Sequence, residues 1–403
     1  MRCIQCGKYT ATEPPDFRCP SCGDLLELVP VGRKPARRSL LRGQVALGVW
    51  RYARGLPFAR DVKPISLQEG GTPLVPSSGI GKGLGLQELY IKNEGQNPTG
   101  SFKDRGMTVA VTKASQRGAR TLVCASTGNT SASLAAYAAR GGLEAVVIVP
   151  SGKVAAGKLV QATVHGARIL RVKGNFDEAL GLVLEVVREN PALYLMNSIN
   201  PYRIEGQKTL AYEVFEQLGG RVPDYVVLPV GNAGNISAIW KGFLELKSWR
   251  ISDRLPRMVG VQAAEAAPIA EAYEKKRDHV KPWGDARTVA SAIRIGKPAS
   301  WKKALRAIRD SGGLSMTVTD REILQAVDEL ASKEGLFVEA ASATPVAALK
   351  HLRRTLGPRA TIVCVATGNG LKDQESVKVD LERTPELSGG PDLLKALRDS
   401  TPG

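Results

Sequence analysis

The chain has 403 residues, 43% of them hydrophobic and 24% charged, with a formal net charge of +17 at pH 7. This composition is typical of a globular protein larger than one hydrophobic core usually serves, and it excludes disordered and collagen-like chains. No apolar run is long enough to cross a bilayer, and the N-terminus lacks the apolar stretch of a secretory signal. We therefore expect a cytoplasmic protein with no membrane partner.

The positive charge calls for a separate interpretation, because basic proteins often bind nucleic acid. The densest basic group is short and lacks the interleaved aromatic residues that stack on bases. It consists of Arg33, Lys34, Arg37, Arg38 and Arg42. We expect no nucleic-acid partner, and we interpret the excess charge as solvated surface that also steers phosphorylated substrates.

Four of the six cysteines form two Cys-x-x-Cys pairs at the N-terminus. They are Cys3, Cys6, Cys19 and Cys22. Two such turns can close four thiolates around one metal ion, which replaces the core that so short a segment cannot build. Disulfides are disfavoured in the cytosol, and a redox motif would not occur twice. The spacing predicts a zinc ribbon over residues 1–30, with a structural Zn²⁺ because no coordination position stays open.

Residues 31–65 follow as a basic, proline-containing linker and a helix, and beyond them strands and helices alternate. Short apolar runs lead into Gly- and Asn-rich loops, which lead into helical patterns such as residues 131–140. A further helical pattern, residues 154–164, follows the strand that ends at Pro150. The predicted strands are 121–125, 145–149, 169–172, 225–228 and 361–365. This alternation predicts an α/β fold with parallel sheets, in which ligands bind beyond the carboxyl ends of the strands.

Three Gly/Asn loops therefore mark the place to look for a site: residues 126–130, 231–235 and 367–370. Loop 231–235 precedes a helix, so its amides could hold a phosphate, although Gly and Asn also form ordinary strand-to-helix turns. The glycines of residues 79–85 are interpreted as a loop.

Lys103 lies at the entry to a helix, within the segment 97–107. A helix N-terminus disfavours a cation, so it lowers the pKa of an amine and helps to keep a neutral nucleophile or an imine. On this argument alone a solvated surface lysine is the more common interpretation.

Six segments, in order, resemble motifs of the fold type II family of pyridoxal phosphate enzymes. They are 69–74, 97–107, 126–130, 197–208, 231–235 and 367–372. Within that family the chain looks like the threonine synthases, one branch of which has an N-terminal zinc ribbon. The resemblance implies a two-lobed α/β fold with parallel twisted sheets, a catalytic region over 66–385 and a smaller lobe nested at about 102–200. The polar sequence that follows, with its proline and glycine residues, predicts either a tail or a final helix over 386–403. The resemblance also implies a homodimer.

The resemblance implies pyridoxal 5'-phosphate as cofactor, held as a Schiff base on Lys103, which would also be the catalytic base. Phe102 would pack against the cofactor, Asn129 would bind its 3'-oxygen, and Thr367 would meet its ring nitrogen. The cofactor phosphate would be held by the loop amides of Gly231, Asn232, Ala233, Gly234 and Asn235.

The implied substrate is O-phospho-L-homoserine, converted with water to L-threonine and phosphate by γ-elimination and β-hydration. Its anionic groups would be bound by Ser126, Thr127, Thr130, Asn197, Ser198 and Arg203. Asn197 and Arg203 are the main support for a γ-phosphorylated substrate, because threonine deaminases and cysteine synthases generally lack the segment 197–203. Tyr202 is the least constrained position there.

Two alternatives stay open. A sister enzyme of the same fold could carry out β-replacement on O-phosphoserine, as a cysteate synthase or phosphoserine sulfhydrylase does. More remotely, the chain could be a noncatalytic binding protein of this fold. Glu339, Ser342 and Thr344 are placed in a loop before a helix, where N-capping is the default role and contact with a ligand is the lesser one.

Overall fold

The structure, a computed structural model, describes residues 1–29, 48–58, 61–151, 159–174, 176–353 and 355–374. Several sequence predictions lie outside these residues. They are the basic group at 33–42, the first part of the helix at 154–164, and the C-terminal tail at 386–403. Of the linker and helix at 31–65, the structure describes a short 3-10 helix, Val49–Gly55.

The strands are β1 (Arg2–Cys3), β2 (Leu26–Glu27), β3 (Leu74–Pro76), β4 (Glu88–Asn93), β5 (Thr121–Ala125), β6 (Glu144–Pro150), β7 (Arg168–Val172), β8 (Leu193–Leu195), β9 (Tyr225–Pro229), β10 (Arg257–Ala263), β11 (Leu314–Val318) and β12 (Thr361–Ala366). The helices are α1 (Gly79–Leu84), α2 (Lys103–Gln116), α3 (Asn129–Gly141), α4 (Val160–Val164), α5 (Phe176–Glu189), α6 (Pro201–Gln207), α7 (Thr209–Gln217), α8 (Gly234–Ser248), α9 (Pro268–Glu274), α10 (Trp301–Asp310), α11 (Asp320–Glu334) and α12 (Ala340–Leu352).

The larger sheet has six strands in the order β11-β10-β9-β12-β4-β3. All neighbours in it pair in parallel except β3, which runs antiparallel to β4 at one edge. The central strands β9 and β12 are buried along their whole length, as continuous apolar runs predict for strands covered on both faces. The sheet thus forms the rigid core of the larger lobe.

The smaller sheet has four parallel strands in the order β7-β6-β5-β8. Its strands come from residues 121–195, an excursion of the chain between β4 and β9 of the larger sheet. All five predicted strands are present, with ends that differ by at most one residue. The prediction of a two-lobed α/β fold with parallel sheets is therefore confirmed, while the exact lobe boundaries stay a prediction.

The loops after β5, β9 and β12 all lie at carboxyl ends of strands, where open parallel sheets bind ligands. Two contacts join the elements around them. The Phe102 backbone amide donates to the Thr367 carbonyl at 3.0 Å. The side-chain amide nitrogen of Asn129 donates to the Glu339 carboxylate at 2.9 Å. The second contact links the smaller sheet to the larger one.

Two local predictions were wrong. The glycine-rich stretch 79–85 is not a loop throughout, because Gly79–Leu84 forms the helix α1. Its start is stabilised from far along the chain: the Glu334 carboxylate accepts from the Ser77 hydroxyl and from the Ile80 amide, both at 2.6 Å. A cap supplied by a residue so distant in sequence leaves no local signal.

The second correction concerns the segment before α12. Ser342 and Thr344 lie inside α12 rather than in a loop, and Glu339 stands at its N-cap position without a side-chain capping bond. The Glu339 carboxylate accepts a hydrogen bond from the Asn129 side chain instead of capping the helix.

Within the part of the chain that the structure describes, every helix is too short or too polar to span a membrane.

Candidate active site

Lys103 is the first residue of α2, and its amine lies 4.2 Å from the centroid of the Phe102 ring. Burial and the positive charge of Arg203 lower the pKa of Lys103 to about 7, while the Glu339 carboxylate opposes this shift. The pKa is shifted in the direction that the sequence predicted, with burial as its largest cause and the charge of Arg203 as the next. Near neutral pH a large share of this amine is uncharged, as a nucleophile requires.

The helix α2 is fixed by a buried ion-pair network beside Lys103. The Arg105 guanidinium is fully buried and bonds to Glu94 at 2.6 Å and to Glu213 at 2.9 Å. Lys92 is also fully buried and pairs with Glu213. This network holds α2 against β4 and α7, so the start of the helix, and with it Lys103, has a defined position.

The loop 231–235 runs from β9 into α8 and is largely buried. Ala233 has a φ of 65°, a left-handed conformation that is strained for a residue other than glycine. Such strain is retained where a loop must present its amides in one geometry. A Cβ at Gly231 would lie 3.1 Å from the Ala292 carbonyl oxygen, so a larger residue would fit only if this neighbour moved slightly.

A buried polar cluster lies between the loop after β12 and the start of α12. Thr367 is 4% exposed, and its hydroxyl lies 3.0 Å from that of Ser342 and 3.4 Å from the Glu339 carboxylate. Glu339 also accepts from Asn129. Burial raises the pKa of Glu339, and its bond from Asn129 acts in the opposite direction. Asn129 and Thr367, two predicted cofactor residues, thus meet at the Glu339 carboxylate, for which the sequence favoured a capping role.

Arg203 lies on α6 and is almost fully buried. One of its terminal nitrogens, Nη1, donates to the Met196 carbonyl at 3.1 Å. In the described part of the chain, Nε and Nη2 have no hydrogen-bond partner. Burial lowers the pKa of Arg203 to about 10, which still leaves it charged at neutral pH. A buried cation with free donors is suited to binding an anion.

The other predicted substrate residues lie around the end of β5. Ser126 and Thr127 are in the loop after that strand and Thr130 is in the first turn of α3, all half-buried. The Asn197 side chain exchanges two hydrogen bonds with the Ala125 backbone, at 3.0 and 2.9 Å. Asn197 therefore fixes the start of the loop that carries Ser126 and Thr127. Its neighbour Ser198 is half-buried.

Tyr202 is more constrained than the sequence predicted. It is 5% exposed, and its hydroxyl donates to the Glu13 carboxylate at 2.7 Å. This partner belongs to the N-terminal segment, which sequence reasoning had no means to place against α6.

Further buried polar atoms, in and beside the loop 231–235 and just before α2, suit a ligand. Among the described residues, both amide atoms of Asn235 and the hydroxyls of Ser101 and Ser300 lack hydrogen-bond partners. The Ser300 amide donates to the Asn232 carbonyl at 3.1 Å, so Ser300 adjoins the loop. Since buried polar groups are almost always paired, these atoms suit a polar ligand such as a phosphorylated cofactor. Ser300 was missed because no local motif marks it.

The four N-terminal cysteines converge as their spacing predicts. All four sulfur atoms lie within 4.8 Å of one another, with 3.4 Å between Cys3 and Cys22 and 3.7 Å between Cys6 and Cys19. Such a group of thiols has the donor set and the spread of a tetrahedral metal site. The short antiparallel pair β1 and β2 accompanies it.

The fold resembles solved structures of pyridoxal phosphate enzymes. One is the processed form of threonine deaminase isoform 2 from Solanum lycopersicum, with a TM-score of 0.64, 21% identity, and coverage of 76% of this chain and 88% of that chain. Another is maize serine racemase, with a TM-score of 0.64, 22% identity, and coverage of 81% and 92%. At this identity the likeness concerns the fold alone.

The sequence comparisons go further. The model of the pyridoxal-phosphate dependent enzyme family matches residues 65–368. The threonine synthase of Methanocaldococcus jannaschii is 51% identical over 403 residues, covering 98% of each chain, and that of Methanosarcina acetivorans is 48% identical, covering 96% and 95%. The threonine synthase of Synechocystis is 50% identical over 325 residues, covering 80% and 82%. This chain therefore belongs to the pyridoxal-phosphate dependent enzyme family and, within it, to the threonine synthase group.

Proposed function

We propose that this chain is a threonine synthase that converts O-phospho-L-homoserine and water to L-threonine and phosphate. The observation that carries this proposal is Arg203, a buried cation with two free donor atoms whose charge acts on Lys103. Such an arrangement suits a substrate with an anionic group of its own, in addition to the phosphate of the cofactor. Relatives of about half identical sequence over nearly the whole chain bear the same name.

The residues present fit pyridoxal 5'-phosphate as the cofactor. When bound, it supplies the electron sink that makes protons on the substrate carbons removable. We propose that Lys103 holds it and that the amides of residues 231–235 bind its phosphate at the start of α8. The unpaired amide of Asn235 and hydroxyl of Ser300 are available beside that loop.

Lys103 performs the proton transfers in this proposal. Its lowered pKa lets the neutral amine accept the proton from Cα and later carry a proton to Cγ at neutral pH. Phe102, directly beneath the amine, limits its movement to one face. One base serves several steps because Cα, Cβ and Cγ, the positions it acts on, are consecutive carbons of one substrate.

The polar cluster around Glu339 orients the cofactor ring. Glu339 accepts one hydrogen of the Asn129 amide, which leaves the second free to donate to the 3'-oxygen of the ring. The Thr367 hydroxyl is a neutral partner for the ring nitrogen, so it does not force that nitrogen to be protonated.

Substrate anions are bound on the side of α6 and β5. Arg203 provides charge and two donors, while Ser126, Thr127, Thr130 and Ser198 provide hydroxyl groups around the end of β5. We propose that Asn197 contributes chiefly by holding the Ala125 backbone in place.

We further propose that the four N-terminal cysteines bind one structural zinc ion, supported by their convergence within 4.8 Å. On resemblance to the family, we also propose that the protein is a cytoplasmic homodimer. Sedimentation of the purified holoenzyme measures the oligomeric state directly.

The test of the function is phosphate release from the cofactor-loaded protein, given O-phosphohomoserine or O-phosphoserine separately, with the amino-acid product identified by mass. Threonine from the first substrate alone is the expected result. Turnover of O-phosphoserine with sulfite or sulfide, and none of O-phosphohomoserine, would instead make the chain a β-replacement enzyme. No turnover of either would favour a noncatalytic role.

A further inference from the structure

The N-terminal segment, residues 1–29, is here called the ribbon, and it packs against both lobes. Toward the smaller sheet, Asp16 pairs with Arg188 of α5 at 2.7 Å. Toward the larger sheet, Lys302 of α10 pairs with Asp24 and donates to Gln5 at 2.9 Å. Phe17 is 1% exposed and belongs to the hydrophobic core of the smaller lobe. The ribbon is thus an integral part of the molecule rather than a separate appendage.

One contact of the ribbon reaches the residue just before Arg203. The Glu13 carboxylate, 4% exposed, accepts from the Tyr202 hydroxyl at 2.7 Å and from Tyr194 at 3.0 Å, and it pairs with Arg117 at 2.9 Å. The ring of Phe17 also meets the Tyr202 ring edge-on, with centroids 6.5 Å apart. Tyr202 is therefore held by the ribbon through both a hydrogen bond and an aromatic contact.

A second contact reaches the other side of Arg203. The Leu28 carbonyl accepts from the Lys241 amine of α8 at 2.8 Å. Lys241 in turn pairs with the buried carboxylate of Glu205, which also binds Lys208 at 2.5 Å. The ribbon thus acts on α6 at Tyr202 directly and at Glu205 through Lys241.

Arg203 lies between these two positions on a helix of seven residues. Among the described residues, its guanidinium makes one hydrogen bond, from Nη1 to the Met196 carbonyl. The position of the α6 backbone therefore largely determines the direction of the free Nε and Nη2 atoms. A buried guanidinium binds an anion well only when its planar fork is oriented toward it. Small displacements of a positioning group reduce affinity and rate steeply.

We propose that the ribbon positions Arg203 for the anionic group of the substrate, with Tyr202 as the positioning residue that transmits its placement. This deepens the proposed function and rests on it, since it assigns Arg203 to a phosphorylated substrate. Glu13 and Phe17 lie in the loop between Cys6 and Cys19, whose sulfur atoms are 3.7 Å apart. The closure of that loop by the cysteines is what gives Glu13 a fixed place.

The test compares two conservative substitutions in the cofactor-loaded enzyme. Tyr202→Phe removes one hydroxyl and keeps the ring contact with Phe17, and Glu13 keeps its bonds to Tyr194 and Arg117. Asp16→Asn is the matched control, because it breaks a ribbon contact to Arg188 but keeps the Asp16 bond to the Arg18 amide and touches no residue of α6. For each, KM and kcat for O-phosphohomoserine and the Kd of inorganic phosphate by calorimetry are measured.

We expect Tyr202→Phe to raise KM and the Kd of phosphate about ten-fold, with kcat within about twofold and an unchanged absorbance of the cofactor bound to lysine. Asp16→Asn should leave all four unchanged. Equal phosphate affinity in wild type and Tyr202→Phe would overturn the proposal, as would an equal loss in both variants, which indicates general loosening. Because phosphate binding needs no turnover, it decides this inference even if O-phosphohomoserine proves not to be the substrate.

Discussion

The Asn129 side-chain nitrogen lies 2.9 Å from the Glu339 carboxylate and joins the loop after β5 to the start of α12. The two residues are 210 positions apart. Asn129 begins the helix that follows β5 of the smaller sheet, and Glu339 precedes α12, which packs on the larger sheet. Their contact makes the orientation of Asn129 depend on a carboxylate in the opposite lobe. With Asn129 in its proposed role toward the cofactor, this bond couples cofactor binding to the packing of the two lobes.

Substitution of Glu339 tests that coupling. Glu339→Gln keeps an oxygen that accepts from Asn129, so the Kd of pyridoxal phosphate for the apoprotein should stay within about threefold of wild type. Glu339→Leu leaves Asn129 without its acceptor, and loss of a bond to a charged group, about 1.5–3 kcal/mol, should weaken cofactor binding about ten-fold or more. Absorbance titration measures both, and equal affinities in the two variants would contradict the role of Glu339.

Lys103 is expected to be the lysine that binds the cofactor. Lys103→Ala should abolish turnover and the imine absorbance, while pyridoxal phosphate still binds noncovalently to the loop 231–235. Lys372 is the stringent comparison, because it also lies close to the site, donating to the Thr99 carbonyl at 2.5 Å, and burial lowers its pKa too. Borohydride reduction followed by peptide mapping should label Lys103 alone, and a label on Lys372 would reassign the site.

The features that could be predicted from the sequence are those that depend on residues close together in the chain. Alternating strands and helices, the loop 231–235 and the position of Lys103 at the start of α2 all follow from short-range signals. The bonds of Glu339 and Glu13 were not predicted, because their partners, Asn129 and Tyr202, lie 210 and 189 residues away. Such contacts exist only once the lobes and the ribbon have packed together.

The cysteine cluster predicts a metal content that can be measured. We expect about one zinc ion per chain in the purified protein, lost in Cys19→Ser because three thiolates no longer complete the site. Cys124→Ser is the matched control, since Cys124 is a fully buried residue of β5 outside the cluster. Elemental analysis of both variants decides the matter, and zinc retained in Cys19→Ser would exclude a site with four cysteine ligands.

The buried ion-pair network should dominate stability near the site. Lys92→Met leaves a carboxylate of Glu213 without its fully buried partner, and breaking such a pair costs about 3–5 kcal/mol. Lys275→Ala breaks an exposed pair with Glu271 and should cost about 0.2–1 kcal/mol. Urea unfolding, followed by circular dichroism, compares the two free energies of unfolding. Similar losses would mean that Arg105 alone neutralises Glu213.

The pKa of Lys103 predicts how cofactor uptake depends on pH. Only the neutral amine attacks the aldehyde of pyridoxal phosphate, and burial with Arg203 lowers this pKa from the ordinary 10.5 to about 7. The rate of imine formation in the apoprotein should therefore rise between about pH 6 and 8 and then level off. Stopped-flow absorbance measures this profile.

Two variants should move the profile in opposite directions. Arg203→Gln removes a positive charge that favours the neutral amine, so the rate profile should move to higher pH. Glu339→Gln removes a negative charge that favours the protonated amine, so the rate profile should move to lower pH. A wild-type rate that still climbs above about pH 9 would show that Lys103 is an ordinary solvated lysine before the cofactor binds.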